Sequence, residues 1–101
     1  MTSEAAVRIG VRRYLRRLKT DGKPIEFTSL HGTSYSTAGE PDMAGCFAGR
    51  MFLIELKAPG GKSTMIQKMR QNAWESVGAL VLRDVTNWRE VETRFKQEGL
   101  V

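Results

Sequence analysis

Apolar positions along the chain follow two periods. Val7, Val11, Tyr14, Leu15 and Leu18 recur at helical spacing, so residues 4–20 are predicted to form a helix with Ser3 as its N-cap. Arg8, Arg12, Arg16 and Lys19 run beside that stripe as a basic one. Glu4 extends the apolar stripe back by one turn and is expected to point toward the core side; the plainer role is a first-turn carboxylate favoured by the helix dipole. Asp21-Gly22 breaks the helix. Ile25 to His31 reads as a first strand, and Gly32 to Glu40, rich in Gly, Ser and Thr around Tyr35, shows no period. Pro41 to Cys46 and Met51 to Ala58 read as antiparallel strands joined around Phe47-Ala48-Gly49-Arg50, and Pro59-Gly60-Gly61 stops the second. Ser63 is the expected N-cap of a helix reaching about Val77, with Met65, Ile66, Met69, Ala73, Trp74 and Val77 as its core-facing side. Gly78 ends it, and Ala79 to Leu82 forms a short buried strand. Asn87 caps a last helix with Trp88, Val91 and Phe95 on one face.

The predicted order is α-β-β-β-α-β-α. The unit from Met51 to Leu82 makes a right-handed parallel crossover, and the earlier strands pair antiparallel through short turns. An α/β fold with a mixed sheet flanked by helices follows. A chain of 101 residues is one domain, 1–101, with a modest core.

Charge enters this picture at one strand end. Phe52, Ile54 and Leu56 alternate with Leu53, Glu55 and Lys57, so Glu55 and Lys57 share a face. A charged pair ending so apolar a strand costs stability unless it has partners. The partners that suit it are a divalent metal for Glu55, and a phosphate or a metal-bound water for Lys57. Asp42, on the neighbouring strand after Pro41, is the best second oxygen ligand in the sequence. The plain alternative for the three residues is a structural salt-bridge group at a sheet edge.

This arrangement resembles the PD-(D/E)XK nuclease superfamily and, more closely, its VRR-Nuc family of viral replication and repair nucleases. The resemblance rests on Gly39-Glu40-Pro41-Asp42, Gly49-Arg50, Ile54-Glu55-Leu56-Lys57, Gly61-Lys62 and Gln67, with Glu4 upstream, and spans roughly the whole chain. It implies a restriction-endonuclease-like core and Mg²⁺ or Mn²⁺ held by Asp42, Glu55 and the backbone carbonyl of Leu56, with Glu4 bound directly or through water. Gln67 enters as an active-site residue on the resemblance alone; otherwise it reads as an exposed polar helix position. The implied activity is endonucleolytic hydrolysis of DNA, in particular branched or structured DNA such as four-way junctions, in replication, recombination or repair.

Composition adds a partner. The net charge of +5 and the isoelectric point near 9.8 favour a polyanion, and the excess sits in the first 21 residues. Arg8, Arg12, Arg16 and Lys19 are the expected DNA-backbone contacts, with Tyr35, Arg50, Lys62 and Lys68 as further phosphate contacts; a solvated helix face is the ordinary use of such a run. One cysteine, Cys46, cannot form an internal disulfide and reads as a small core residue; one Cys and one His, His31, fall short of the four ligands a structural zinc site needs. His31 lies outside the matched motif and reads as structural. Arg8, Arg12 and Arg13 interrupt any N-terminal signal region, and no stretch has the length of a membrane span, so a cytoplasmic protein is expected, including the cytoplasm of a virus-infected host cell. The Gly-rich segment lacks the GxxxxGK[ST] pattern, so no nucleotide cofactor is expected.

Three readings follow. The leading one is the metal-dependent endonuclease. A non-catalytic basic nucleic-acid-binding protein is the second, and a toxin-like nuclease with little selectivity the third. A homodimer is expected, because cutting two strands of opposite polarity needs two sites. Trp74, Trp88, Phe95, Met43, Met51 and the Leu100-Val101 tail are its candidate interface residues.

Overall fold

The computed structural model describes residues 2–30 and 38–101. Helices α1 (Glu4–Thr20), α2 (Met65–Ser76) and α3 (Trp88–Gln97) surround strands β1 (Ile25–Ser29), β2 (Met43–Phe47), β3 (Arg50–Leu56) and β4 (Leu80–Val85). The order is the one the pattern predicts. The strands lie in the sheet as β1-β2-β3-β4, with the first two pairings antiparallel and β3-β4 parallel. No described helix is long and apolar enough to cross a membrane.

One face of the sheet carries the main core. The α1 stripe Val7, Val11, Tyr14, Leu15 and Leu18 is buried as predicted, and Ser3 caps the helix by accepting from the Ala6 N–H. It meets Phe52, Ile54 and Leu56 of β3 and Val91 and Phe95 of α3. The Phe95 ring packs edge-on against Phe47 and Phe52, with centroids 5.3 Å away in both cases. Asn87 caps α3 as expected. Met43 and Phe95 are fully buried in this core, so they are not interface residues; Trp88 is half-buried against Tyr14. Gly45 is required where β2 crosses the core, because a Cβ there would collide with the Phe52 ring and the Glu26 carbonyl.

The other face differs from expectation. Leu53 and Val81, paired in register, are buried there, where α2 packs against β4. The inward side of α2 is polar, and Gln71 is its buried residue. Gln71 Nε2 donates to Ser63 Oγ (3.1 Å), Ser63 Oγ donates to Asp84 Oδ1 (2.5 Å), and Arg83 donates to Gln71 Oε1 (3.0 Å). The predicted apolar face of α2 is instead exposed: Met65 72%, Ile66 53%, Met69 63% and Val77 78%. The reason lies in the sheet. Near its end this face presents Glu55, Arg83 and Asp84, whose polar atoms need partners that an apolar helix face would not supply.

Several boundaries and caps shift. The first strand stops at Ser29; the second runs from Met43 to Phe47 and the third from Arg50 to Leu56. The N-cap of α2 is Thr64, not Ser63, which is committed to Asp84. Cys46 is exposed on the sheet, not in the core. His31 and Tyr35 lie outside the described residues. The register of β4 against β3 slips between the Ile54–Leu82 and Leu56–Val85 pairs, which sets Arg83 and Asp84 opposite Glu55. Asp84 takes a left-handed φ of 50° at this bulge.

Candidate active site

Period-two geometry turns Glu55 away from the core of Phe52, Ile54 and Leu56, yet its side chain is only 3% exposed. Asp42 sits just before β2 after the buried Pro41. Its N–H donates to the Ile54 carbonyl (3.1 Å), its carbonyl accepts from the Leu30 N–H (2.8 Å), and its Oδ2 accepts from the Leu56 N–H (2.8 Å). The Asp42 carboxylate is thus held against the Glu55-Leu56 peptide by the main chain of β3 and by Leu30, just past β1.

Gln67 joins the rest. Its Nε2 donates to Glu55 Oε1 (2.7 Å), and its Oε1 accepts from Lys57 Nζ (3.0 Å) and from the Thr64 N–H (2.8 Å). Thr64 Oγ1 in turn accepts from the Gln67 N–H, completing a capping box at the start of α2. One amide therefore caps the helix and fixes the spacing between Glu55 and Lys57. Lys57 Nζ lies 3.4 Å from Glu55 Oε1.

Glu55 Oε2 is buried and receives no N–H or hydroxyl donor from the described residues, while the Glu55 carboxyl lies in hydrogen-bonding contact with that of Asp42. Burial, and then the adjacent Asp42 carboxylate, push the Glu55 carboxyl up to about 7; Lys57 acts in the opposite direction and offsets part of this. Two carboxylates crowded together, one of them buried, form a donor set that suits a hard divalent cation. Among the described residues no group of three or more His, Cys, Asp or Glu side chains gathers to hold a metal. The carboxylate donors at this point are therefore Asp42 and Glu55.

The remaining predicted residues divide. Glu4 is half-exposed, not turned into the core, and its Oε1 lies 3.7 Å from Arg8 Nη2. Arg8 leaves the outward basic stripe: its side chain is 19% exposed, and Nη2 lies 3.5 Å from Asp42 Oδ1. Arg8 is thus part of the acidic site's surroundings, which its place in a basic stripe hid. Arg12 and Arg16 are exposed, together with Arg13 and Arg17. Lys19 is paired with Glu26 at 2.8 Å. Arg50 begins β3, at the opposite end of the strand from Glu55 and roughly 16 Å away along it, and pairs with Glu98 at 3.4 Å. Lys62, before α2, and Lys68, in its first turns, are both exposed. The structure thus brings Asp42, Glu55, Lys57 and Gln67 together, with Arg8 and Glu4 at the margin.

No protein-family model matches the chain, and no curated protein matches it in sequence.

A buried carboxyl of raised pKa makes stability depend on pH. The folded state holds its proton up to about 7, whereas the unfolded chain releases it near 4.5. The contribution is therefore present below 4.5 and lost as pH rises through 7. In EDTA, the parent should lose on the order of 2–3 kcal/mol between pH 5 and pH 8 from this group. Glu55→Gln should remove that slope and be more stable than the parent at pH 8. Urea unfolding of both proteins at the two pH values checks this; parallel pH profiles would show that Glu55 ionises normally.

Proposed function

We propose that this chain is a metal-dependent endonuclease that hydrolyses phosphodiester bonds in DNA, in particular structured or branched DNA such as four-way junctions. The single observation that carries the reading is the buried Glu55 carboxylate, set beside Asp42 and tied through Gln67 to Lys57. The mixed four-stranded sheet and the element order are compatible with a restriction-endonuclease-like core, and the motif resembles that of VRR-Nuc nucleases. A cytoplasmic setting belongs to the same reading.

A bound Mg²⁺ or Mn²⁺ supplies positive charge at the phosphate and acidifies water. Asp42 and Glu55 would hold it, with the Leu56 carbonyl as a further oxygen donor and Glu4 at the outer edge. Lys57 presents its ammonium on the same face as Glu55, where it orients the attacking water or meets charge developing on the phosphate. Gln67 keeps that ammonium at a fixed distance from Glu55. Arg8 neutralises part of the negative charge at Asp42 and Glu4. The exposed row Arg12, Arg13, Arg16 and Arg17 supplies backbone contacts to DNA that carry no sequence information.

That arginine row is also the observation that favours the second reading, a non-catalytic nucleic-acid binder. Cleavage decides between them. Plasmid and four-way junction substrates should be cut with Mg²⁺ or Mn²⁺ and left intact in EDTA. Glu55→Ala, Asp42→Ala and Lys57→Ala should each lower the rate by roughly a hundredfold or more while DNA binding persists. A Lys57→Ala protein that cleaves at the parent rate would remove Lys57 from the site.

The basic row has its own test. Replacing Arg12 and Arg16 together should reduce the slope of log affinity against log salt by about two units, one for each lost phosphate contact. Replacing Lys19, already paired with Glu26, should change it less. An unchanged slope in the Arg12/Arg16 protein would assign that face to solvent or to a protein.

We further propose a homodimer as the working unit, since two strands of opposite polarity require two sites. The uncovered apolar side of α2, with Met65, Ile66, Met69 and Val77, supports a second copy as its cover. Light scattering at micromolar concentration should give twice the chain mass, and Met69→Glu should lower it; a monomer that cuts both strands of a junction in one binding event would overturn the geometric argument.

A further inference from the structure

The segment leading into Asp42 is fastened to α2 at two successive residues. Gly39 adopts a φ of 84° and lies directly on Ile66, where a Cβ would collide with the Ile66 side chain. The Glu40 carboxylate then accepts from Arg70 Nε through Oε1 (2.5 Å) and from Trp74 Nε1 through Oε2 (3.3 Å). Ile66, Arg70 and Trp74 follow at i, i+4 and i+8 along one side of α2. Glu40 is only 19% exposed, and each of its oxygens has a donor. Two residues later, the main chain of Asp42 is bonded to β3 and to Leu30.

The same helix therefore holds Glu55 directly, through Gln67, and the chain entering Asp42 indirectly, through Glu40. Gln67, next to Ile66, sets Glu55 and Lys57. Arg70 and Trp74, one and two turns further on, set the chain that enters Asp42. We propose that Glu40, Arg70 and Trp74 form a positioning clamp that fixes the distance between the Asp42 and Glu55 carboxylates and so sets the affinity of the site for a divalent cation. The clamp rests on the metal-site reading above. Glu40 is assigned no ligand role: its carboxylate is turned to Arg70 and the Trp74 indole on α2. A carboxylate pair held from one rigid helix needs no reorganisation to accept a cation, and groups that orient ligands in this way typically govern metal affinity.

The experiment measures Mn²⁺ binding to the metal-free protein by the electron paramagnetic resonance signal of free Mn²⁺, without DNA or turnover. Glu40→Ala should weaken Mn²⁺ binding by roughly tenfold or more. Glu40→Gln, which keeps an acceptor oxygen for α2, should recover part of the loss. Arg70→Ala, at a side chain already 41% exposed, tests the same clamp from the other partner with little risk to folding and should weaken binding in the same direction. Thermal midpoints of the variants separate this effect from loss of fold. In cleavage, the Mn²⁺ concentration giving half the maximal rate should rise by the same factor while the rate at saturating Mn²⁺ stays near that of the parent. A parent that binds Mn²⁺ and an Arg70→Ala or a folded Glu40→Ala protein that binds it equally well would overturn the clamp alone. A parent that binds no Mn²⁺ would overturn the metal site itself, and the clamp with it.

Discussion

Burying the Glu55 carboxylate at the end of β3 is the constraint around which this fold is arranged. An ionised carboxylate removed from water carries a penalty of several kcal/mol unless charge and hydrogen bonds compensate it. Here compensation is partial. Gln67 donates one bond, Lys57 stands at 3.4 Å, and the second oxygen receives no N–H or hydroxyl donor from the described residues. The demand for donors explains why α2 lies on the sheet with its glutamines inward. Had Met65, Ile66 and Met69 faced the sheet, Glu55, Asp84 and Arg83 would have lost the partners that Gln67, Ser63 and Gln71 now give them. Exposed methionines are the smaller cost, because an apolar side chain left in water forgoes only about 1.5–3 kcal/mol of burial.

The same demand accounts for the local irregularities. The bulge of β4 opposite Glu55 places Asp84 within reach of Ser63, and the Lys57 N–H still finds the Val85 carbonyl at 2.9 Å. Ser63 is drawn away from the helix end, so capping passes to Thr64 and its partner Gln67. A capping glutamine whose amide also spans a carboxylate and an ammonium is thereby fixed by its backbone as well as its neighbours. Asp42 is equally constrained, through bonds to Ile54, Leu56 and Leu30. Glu55 and Gln67 thus stand on β3 and α2, and Asp42 and Lys57 adjoin strand ends to which their main chain is hydrogen-bonded, which holds their spacing more firmly than a free loop would.

These relationships mark what the sequence could and could not convey. Helix α1, its Ser3 cap, the Asn87 cap and the apolar alternation of β3 were legible because each depends on near neighbours in the chain. So was the shared face of Glu55 and Lys57, which follows from strand period alone. The orientation of α2 was not legible. Its periodicity defines an apolar stripe but not whether the stripe or its polar opposite meets the sheet, and that choice depends on Glu55 and Asp84, distant in sequence. Arg8 shows the same limit. Its spacing groups it with Arg12 and Arg16, yet α1 lies so that this first arginine reaches Asp42, and Lys19 finds Glu26 on β1. The Thr64-x-x-Gln67 capping pattern was a local signal that could have moved the cap by one residue and turned the helix the right way. The restriction-endonuclease-like core and the VRR-Nuc resemblance remain arguments from motif order, beside a four-stranded mixed sheet whose element order agrees with them.

The energetic imbalance at Glu55 bears on which functional reading is the more economical physically. A protein that only held nucleic acid through its arginine row would gain nothing from a buried carboxylate pair, and apolar residues of similar volume at such positions are often neutral or more stable. A cation-binding protein recovers the cost on binding. A ligand that binds only the folded state at a hundred times its dissociation constant stabilises it by about 2.7 kcal/mol. Gln67 and Lys57 limit the cost without eliminating it. The proposed cation site therefore rests on a buried carboxyl pair whose charge Gln67 and Lys57 offset only in part.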